Sequence, residues 1–153
     1  ITSPWKRPSP ETAPSNAKAS GLYEICTMSK EYAEKKGYDD ALMLDYRNYV
    51  AEGTGANIFF IKGNDIHTPI ADCFLNGITR QTVIEMVKNQ GFNLIEKHIL
   101  PIEISNYDEA FLTGTAAEIT PIQSIDNINY ATGKNTLSFQ FMNDFTNLVN
   151  STT

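Results

Sequence analysis

The stretch YVAEGTGANIFFIKGNDIHTP, Tyr49 to Pro69, decides how this chain folds. YVAE (Tyr49 to Glu52) and ANIFFIKG (Ala56 to Gly63) are short runs rich in the β-branched and aromatic residues that fit a pleated, half-buried surface. Gly53-Thr54-Gly55 breaks the first run from the second. GND turns the second back into DIHTP (Asp65 to Pro69). Upstream, ALMLDY (Ala41 to Tyr46) is another apolar run, and Arg47-Asn48 supplies its turn. Strands joined by such short turns pair as hairpins, which predicts an antiparallel sheet. GTGAN is not a dinucleotide loop, because the third glycine is missing and the stretch enters a strand rather than a helix.

Three helices are predicted around these hairpins. From Ala17 to Lys36, Leu22, Ile25, Cys26, Ser29, Tyr32 and Ala33 fall on one face, with Ser15 or Asn16 to cap the start and Gly37 to end it. Gly77 to Gly91 carries an apolar face of Val83, Ile84 and Val87. Thr136 to Val149 buries Leu137, Phe141, Phe145 and Leu148. Further strands are expected at Phe92–Leu100, in AFLTG (Ala110 to Gly114) and, with bends, over Glu118–Tyr130. SNYDEA makes a helical turn. The fold class is α+β, a mostly antiparallel sheet flanked by three or more helices. The proline-rich lead TSPWKRPSPETAP reads as a linker or strap over residues 1–14, before a single domain over 15–153.

Composition narrows the partners. The 153 residues carry a net charge of −6, and the three arginines, Arg7, Arg47 and Arg80, are scattered. That argues against nucleic acid, since neutralising phosphates needs clustered Lys and Arg. No apolar run approaches the roughly 20 residues of a membrane span, and no signal-peptide pattern is present. Cys26 and Cys73 match no metal or redox spacing. They suggest small core residues in a reducing, cytoplasmic setting. His67 and His98 have no partner at ligand spacing, so no metal site is expected.

Four stretches carry candidate chemistry, and each also has an ordinary reading. Lys18 stands among small residues in SNAKASGLYEIC; alone, the stretch reads more readily as a solvated first-turn lysine than as a desolvated, reactive one. Glu52, at a strand end before a flexible loop, could hold a proton on an aromatic ring nitrogen, or be an exposed hairpin acid. In CFLNGITRQT a glycine turn runs into a helix, so the amides of Gly77, Ile78 and Thr79 form an anion cradle or an ordinary cap. LTGTAAEITP ends a strand in small residues that let an anion touch the backbone, or make a tight turn. A lysine, a ring-nitrogen acid and two anion cradles together suit pyridoxal 5′-phosphate, which has an aldehyde, a pyridine and a phosphate.

E-G-T-G-A-N-I-F (Glu52 to Phe59), I-H-T (Ile66 to Thr68) and L-N-G-I-T-R (Leu75 to Arg80), with both gaps between them, resemble the fold type IV pyridoxal phosphate group. The resemblance spans about Trp5 to Asn147. G-T-A-A-E-I-T-P (Gly114 to Pro121) is similar to the branched-chain amino acid aminotransferases within it, and the chain resembles their larger, cofactor-binding domain, a pseudo-barrel. The resemblance implies that Lys18 bonds the cofactor's aldehyde carbon and Tyr23 meets its ring oxygen. Glu52 pairs with the ring nitrogen and Leu75 packs on the ring. Gly77, Ile78, Thr79 and Thr115 hold the phosphate, and the backbone at Ala116 and Ala117 receives the substrate carboxylate. It implies amino acid and 2-oxo acid substrates, with 2-oxoglutarate as acceptor, and a homodimer. The family carries a smaller N-terminal domain with a phosphate-binding arginine; nothing here matches it, so the chain is expected to be part of a longer protein. D-amino acid aminotransferases and aminodeoxychorismate lyases of the same group, and a non-catalytic remnant, are the alternatives.

Overall fold

In the computed structural model, residues 1–151 are described. In chain order the elements are β1 (Thr2–Arg7), α1 (Glu24–Lys35), β2 (Leu42–Asp45), β3 (Val50–Glu52), β4 (Asn57–Lys62), β5 (Asp65–Pro69), α2 (Ile78–Asn89), β6 (Asn93–Lys97), β7 (Glu109–Gly114), β8 (Glu118–Pro121), β9 (Ser124–Ile125), β10 (Ile128–Asn129) and α3 (Leu137–Ser151). Short 3₁₀ turns occupy Ser20–Leu22 and Pro101–Asn106.

β4 is the centre of the sheet. It pairs antiparallel with β3, β5 and β7, and β7 pairs in turn with β8. The expected hairpins β2–β3, β3–β4 and β4–β5 all form. Two pairings are parallel. β5 and β6 are joined by α2, the kind of crossover a parallel pair needs. β1 lies parallel to β2 at the sheet's edge. Thus the lead-in read as a strap contributes a strand, and its Arg7 is buried.

NIFFIK reads as one apolar run because β4 is covered on both faces. Side chains alternate along a strand. Ile58 and Phe60 join Val50, Ile99, Ala110 and Tyr107 on one face. Phe59 and Ile61 join Phe111, Val83, Val87 and Phe141 on the other, under α2 and α3. The Phe59 and Phe111 rings stack with centroids 5.1 Å apart, as their register requires.

The first helix starts later than expected. Residues 15–19 are irregular, and α1 proper begins at Glu24. Ser20 and Gly21 are poor helix formers, and the Leu22 carbonyl accepts a 2.6 Å bond from Arg7 Nη1. At the far end, Leu148 is exposed rather than buried. The Glu118–Tyr130 stretch splits into β8, β9 and β10, and Asp126 takes a positive φ at the β9–β10 turn. No helix among the described residues is long and apolar enough to cross a membrane.

Candidate functional site

The β3–β4 register sets Glu52 opposite Asn57 across a four-residue loop, Gly53–Ala56. That loop closes through the Gly53 N–H to the Ala56 carbonyl at 2.8 Å. Glu52 is therefore held at a strand end and buried, not exposed. Its Oε1 lies 3.2 Å from Nε of Arg7, itself buried in β1. Burial pushes the Glu52 carboxyl up to about 8 against the opposing pull of Arg7. A carboxyl whose folded value is raised contributes stability below its ordinary value of 4.5 and loses it as pH rises toward 8. The urea midpoint of the wild type is therefore expected to fall, relative to Glu52→Gln, as pH climbs through that window. A pH-independent difference would show that Glu52 does not titrate there.

The N-terminus of α2 is the second half of the site. Gly77 is its N-cap, no side chain caps it, and its first turn holds no acid. The start of α3 differs: there the Glu109 carboxylate accepts from the Leu137 and Ser138 N–H groups at 3.1 and 2.8 Å. Free N–H groups and the helix dipole at α2 favour an anion. Ile78 is largely exposed there, whereas the Thr79 side chain is buried. Arg80 is a strut rather than a ligand. Fully enclosed, it donates to the Asn76 side chain, the Pro69 carbonyl and Glu96, so it staples both ends of the loop that carries Leu75 and Gly77.

Other predicted residues join these two. Tyr23 caps the start of α1. A shallow pocket of about 250 Å³ runs from Tyr23 and Cys26 to Thr54, two residues past Glu52. Burial and then the Glu52 charge push the Tyr23 hydroxyl up, which keeps it a donor. Thr115 to Ala117 form the turn between β7 and β8. The turn sits beside the Glu52 loop, because a Cβ on Gly114 would meet Ala56 and the Gly55 carbonyl at 3.3 Å. Lys18 is solvated, as its stretch alone suggested, but it is not in a helix. It lies in the irregular segment before α1 and is exposed, so this chain does not desolvate it. Its segment is tied to the Leu75 loop by Ser15 Oγ, which donates to the Asp72 carbonyl at 3.1 Å.

Sequence reasoning gave no role to Arg7, Asn57 or Arg80. Asn57 and Arg80 stand inside the quoted motifs, so a signal existed for both; for Arg7 none did. A cavity of about 450 Å³ between Tyr38–Leu42 and Thr120–Ile125 holds none of Lys18, Tyr23, Leu75 or Ile78. The candidate site lies instead where the Asn57 side chain joins Glu52 to the start of α2.

Known proteins carry the same frame. The family described as amino-transferase class IV matches residues 1–125. The chain belongs to this family. A probable branched-chain-amino-acid aminotransferase of Rickettsia felis is 47% identical over 122 residues, 80% of this chain and 42% of that protein. The crystal structure of a Thermoproteus uzoniensis branched-chain aminotransferase with norvaline superposes at a TM-score of 0.92 and 38% identity, over 97% of this chain and 50% of that one. The T.th. branched-chain amino acid aminotransferase complexed with N-(5′-phosphopyridoxyl)-L-glutamate gives 0.92 at 35% identity, over 97% and 51%. This class IV chain thus spans about half the length of the relatives it matches.

Proposed function

We propose that this chain is the cofactor-binding part of a pyridoxal 5′-phosphate-dependent aminotransferase acting on branched-chain L-amino acids (leucine, isoleucine and valine). Residues 15–153 would be its larger domain and 1–14 the connection to a second, smaller one. 2-Oxoglutarate is the amino acceptor, and the products are branched 2-oxo acids and glutamate. The working form is a cytoplasmic homodimer. One observation carries this reading: a buried acid and an uncapped helix N-terminus, built on adjoining strands and loops. The names of the relatives support it. So does the ligand of the T.th. relative, which joins a phosphopyridoxyl group to glutamate.

The residues present fit the cofactor. Among the described residues, Arg7 Nε and Thr113 Oγ1 are buried polar atoms with no hydrogen-bond partner; the Arg7 Nε contact with Glu52 is an ion pair only. At Gly77 the missing side chain lets Asn57 Oδ1 reach the N–H, where a Cβ would collide with that oxygen. When bound, pyridoxal phosphate supplies an aldehyde that condenses with amines and a pyridinium ring that stabilises negative charge on the adjoining carbon. The Lys18 amine would hold the aldehyde carbon, and its Nζ would serve as the base for the proton on the substrate Cα. Glu52 keeps the ring-nitrogen proton in place. Tyr23 donates to the ring oxygen and Leu75 covers the ring. The N–H groups of Ile78 and Thr79, with Thr115, would hold the phosphate; Gly77, expected to share in this, has its own N–H engaged by Asn57 Oδ1. The amides of Ala116 and Ala117 receive the substrate carboxylate.

The test is to mix this chain with pyridoxal phosphate, reduce with borohydride and map the labelled peptide by mass spectrometry. The label is expected on Lys18 and lost in Lys18→Ala. Label spread over the other exposed lysines, with none on Lys18, would refute the assignment.

A further inference from the structure

Asn57 stands between the two halves of the site. It is 5% exposed, and its side chain meets both. Its Oδ1 accepts from the Gly77 N–H at 3.2 Å. Its Nδ2 donates to the Leu75 carbonyl at 3.0 Å and reaches Glu52 Oε2 at a longer 3.4 Å. Only this orientation of the amide works. Turned over, it would set oxygen against a carbonyl and a carboxylate, and nitrogen against an N–H. The contact with Gly77 leaves no spare room, since a Cβ there would stand 2.6 Å from Asn57 Oδ1.

We propose that Asn57 is a positioning residue that fixes the spacing between Glu52 and the N-terminus of α2, so that one ligand with a protonated ring nitrogen and a phosphate engages both together. The proposal rests on the cofactor reading above. Arg7 acts on Glu52 and Arg80 acts on the loop; Asn57 touches the two. A ligand with two linked groups gains over its separate halves only when the frame holds their sites at the right separation. An asparagine suits the task because it offers donors and an acceptor on a short stem. Aspartate would lose the donors and set a second negative charge beside Glu52.

The test compares wild type and Asn57→Ala in this chain with three probes, titrated by NMR. 4′-Deoxypyridoxine 5′-phosphate has both groups but no aldehyde, so Lys18 is not engaged; pyridoxine has the ring alone; inorganic phosphate has the anion alone. Asn57→Ala is expected to weaken the two-headed probe at least about tenfold and each one-headed probe less than about threefold. Without ligand, it should speed exchange of the Gly77 amide and raise the Glu52 titration. Gly77→Ala should weaken the two-headed probe similarly, and add less than about threefold on top of Asn57→Ala, because both break one contact. Equal losses for all three probes, fully additive losses in the double variant, or an unchanged Gly77 amide and Glu52 titration would each overturn the proposal. A wild-type chain that binds none of the three would overturn the cofactor reading itself, and this proposal with it.

Discussion

Glu52→Gln, in an enzyme carrying this chain, is expected to lower kcat by about two to three orders of magnitude while the protein stays folded. An amide of the same shape fills the same buried space and keeps an acceptor oxygen toward Arg7 Nε. The melting temperature should therefore shift by no more than a few degrees. Chemistry makes a different demand. In the proposed reaction a protonated ring nitrogen beside the carboxyl would favour its ionised form, and the carboxylate would in turn hold the ring proton that keeps the ring electron-poor. An amide cannot ionise, so under this reading it would not hold the ring-nitrogen proton. Single-turnover kinetics on the two proteins decide the matter. Equal rates would remove Glu52 from the mechanism, and a collapse in melting temperature would make it a folding residue instead.

Phe111→Ala is expected to cost about 3–5 kcal/mol of stability. The ring is fully buried in the middle of β7. It stacks on Phe59 with an interplanar angle of 2° and tilts against Phe141 at 6.0 Å. Its removal would open a cavity between the sheet and α3 that backbone pairing on both sides prevents from collapsing. Against a typical total of about 5–15 kcal/mol, the loss is severe, and the melting temperature should drop on the order of 10 °C. Urea denaturation would show it as a lower midpoint with an unchanged slope. A loss under about 1 kcal/mol would mean that the two aromatic layers repack, contrary to a close-packed core.

Much of the fold was legible because its signals are local. Glycine turns delimit β3, β4 and β5, and the 3.6-residue spacing of Val83, Ile84 and Val87 marks α2. The start of α1 was not legible, since Ser15 or Asn16 offered a cap ahead of a stripe that begins at Leu22, while a bond from Arg7, fifteen residues earlier, engages the Leu22 carbonyl. Lys18 was read in a helix and lies in an irregular, exposed segment for the same reason. In the site, motif spacing marked Glu52, Leu75 and Gly77–Thr79. It could not say that Glu52 is buried, because in sequence it looks like any hairpin acid. Nor could it reveal that the lead-in carries a cation to that acid.

By itself the sequence determined most of the order of strands and helices after the lead-in, and which stretches hold the acid, the amine and the glycine turn into α2; its spaced motifs carried the resemblance to the family. The elements follow from alternation, helical period and turn chemistry, each a property of a few neighbouring residues. Only the tertiary structure decided that Arg7 faces Glu52 across 45 residues, a separation fixed by β1 lying along β2, and that Asn57 reaches Gly77. Only it showed that Glu109 closes α3 while α2 stays open. Such pairings depend on strand register and on which groups are removed from water together, and no local pattern encodes either.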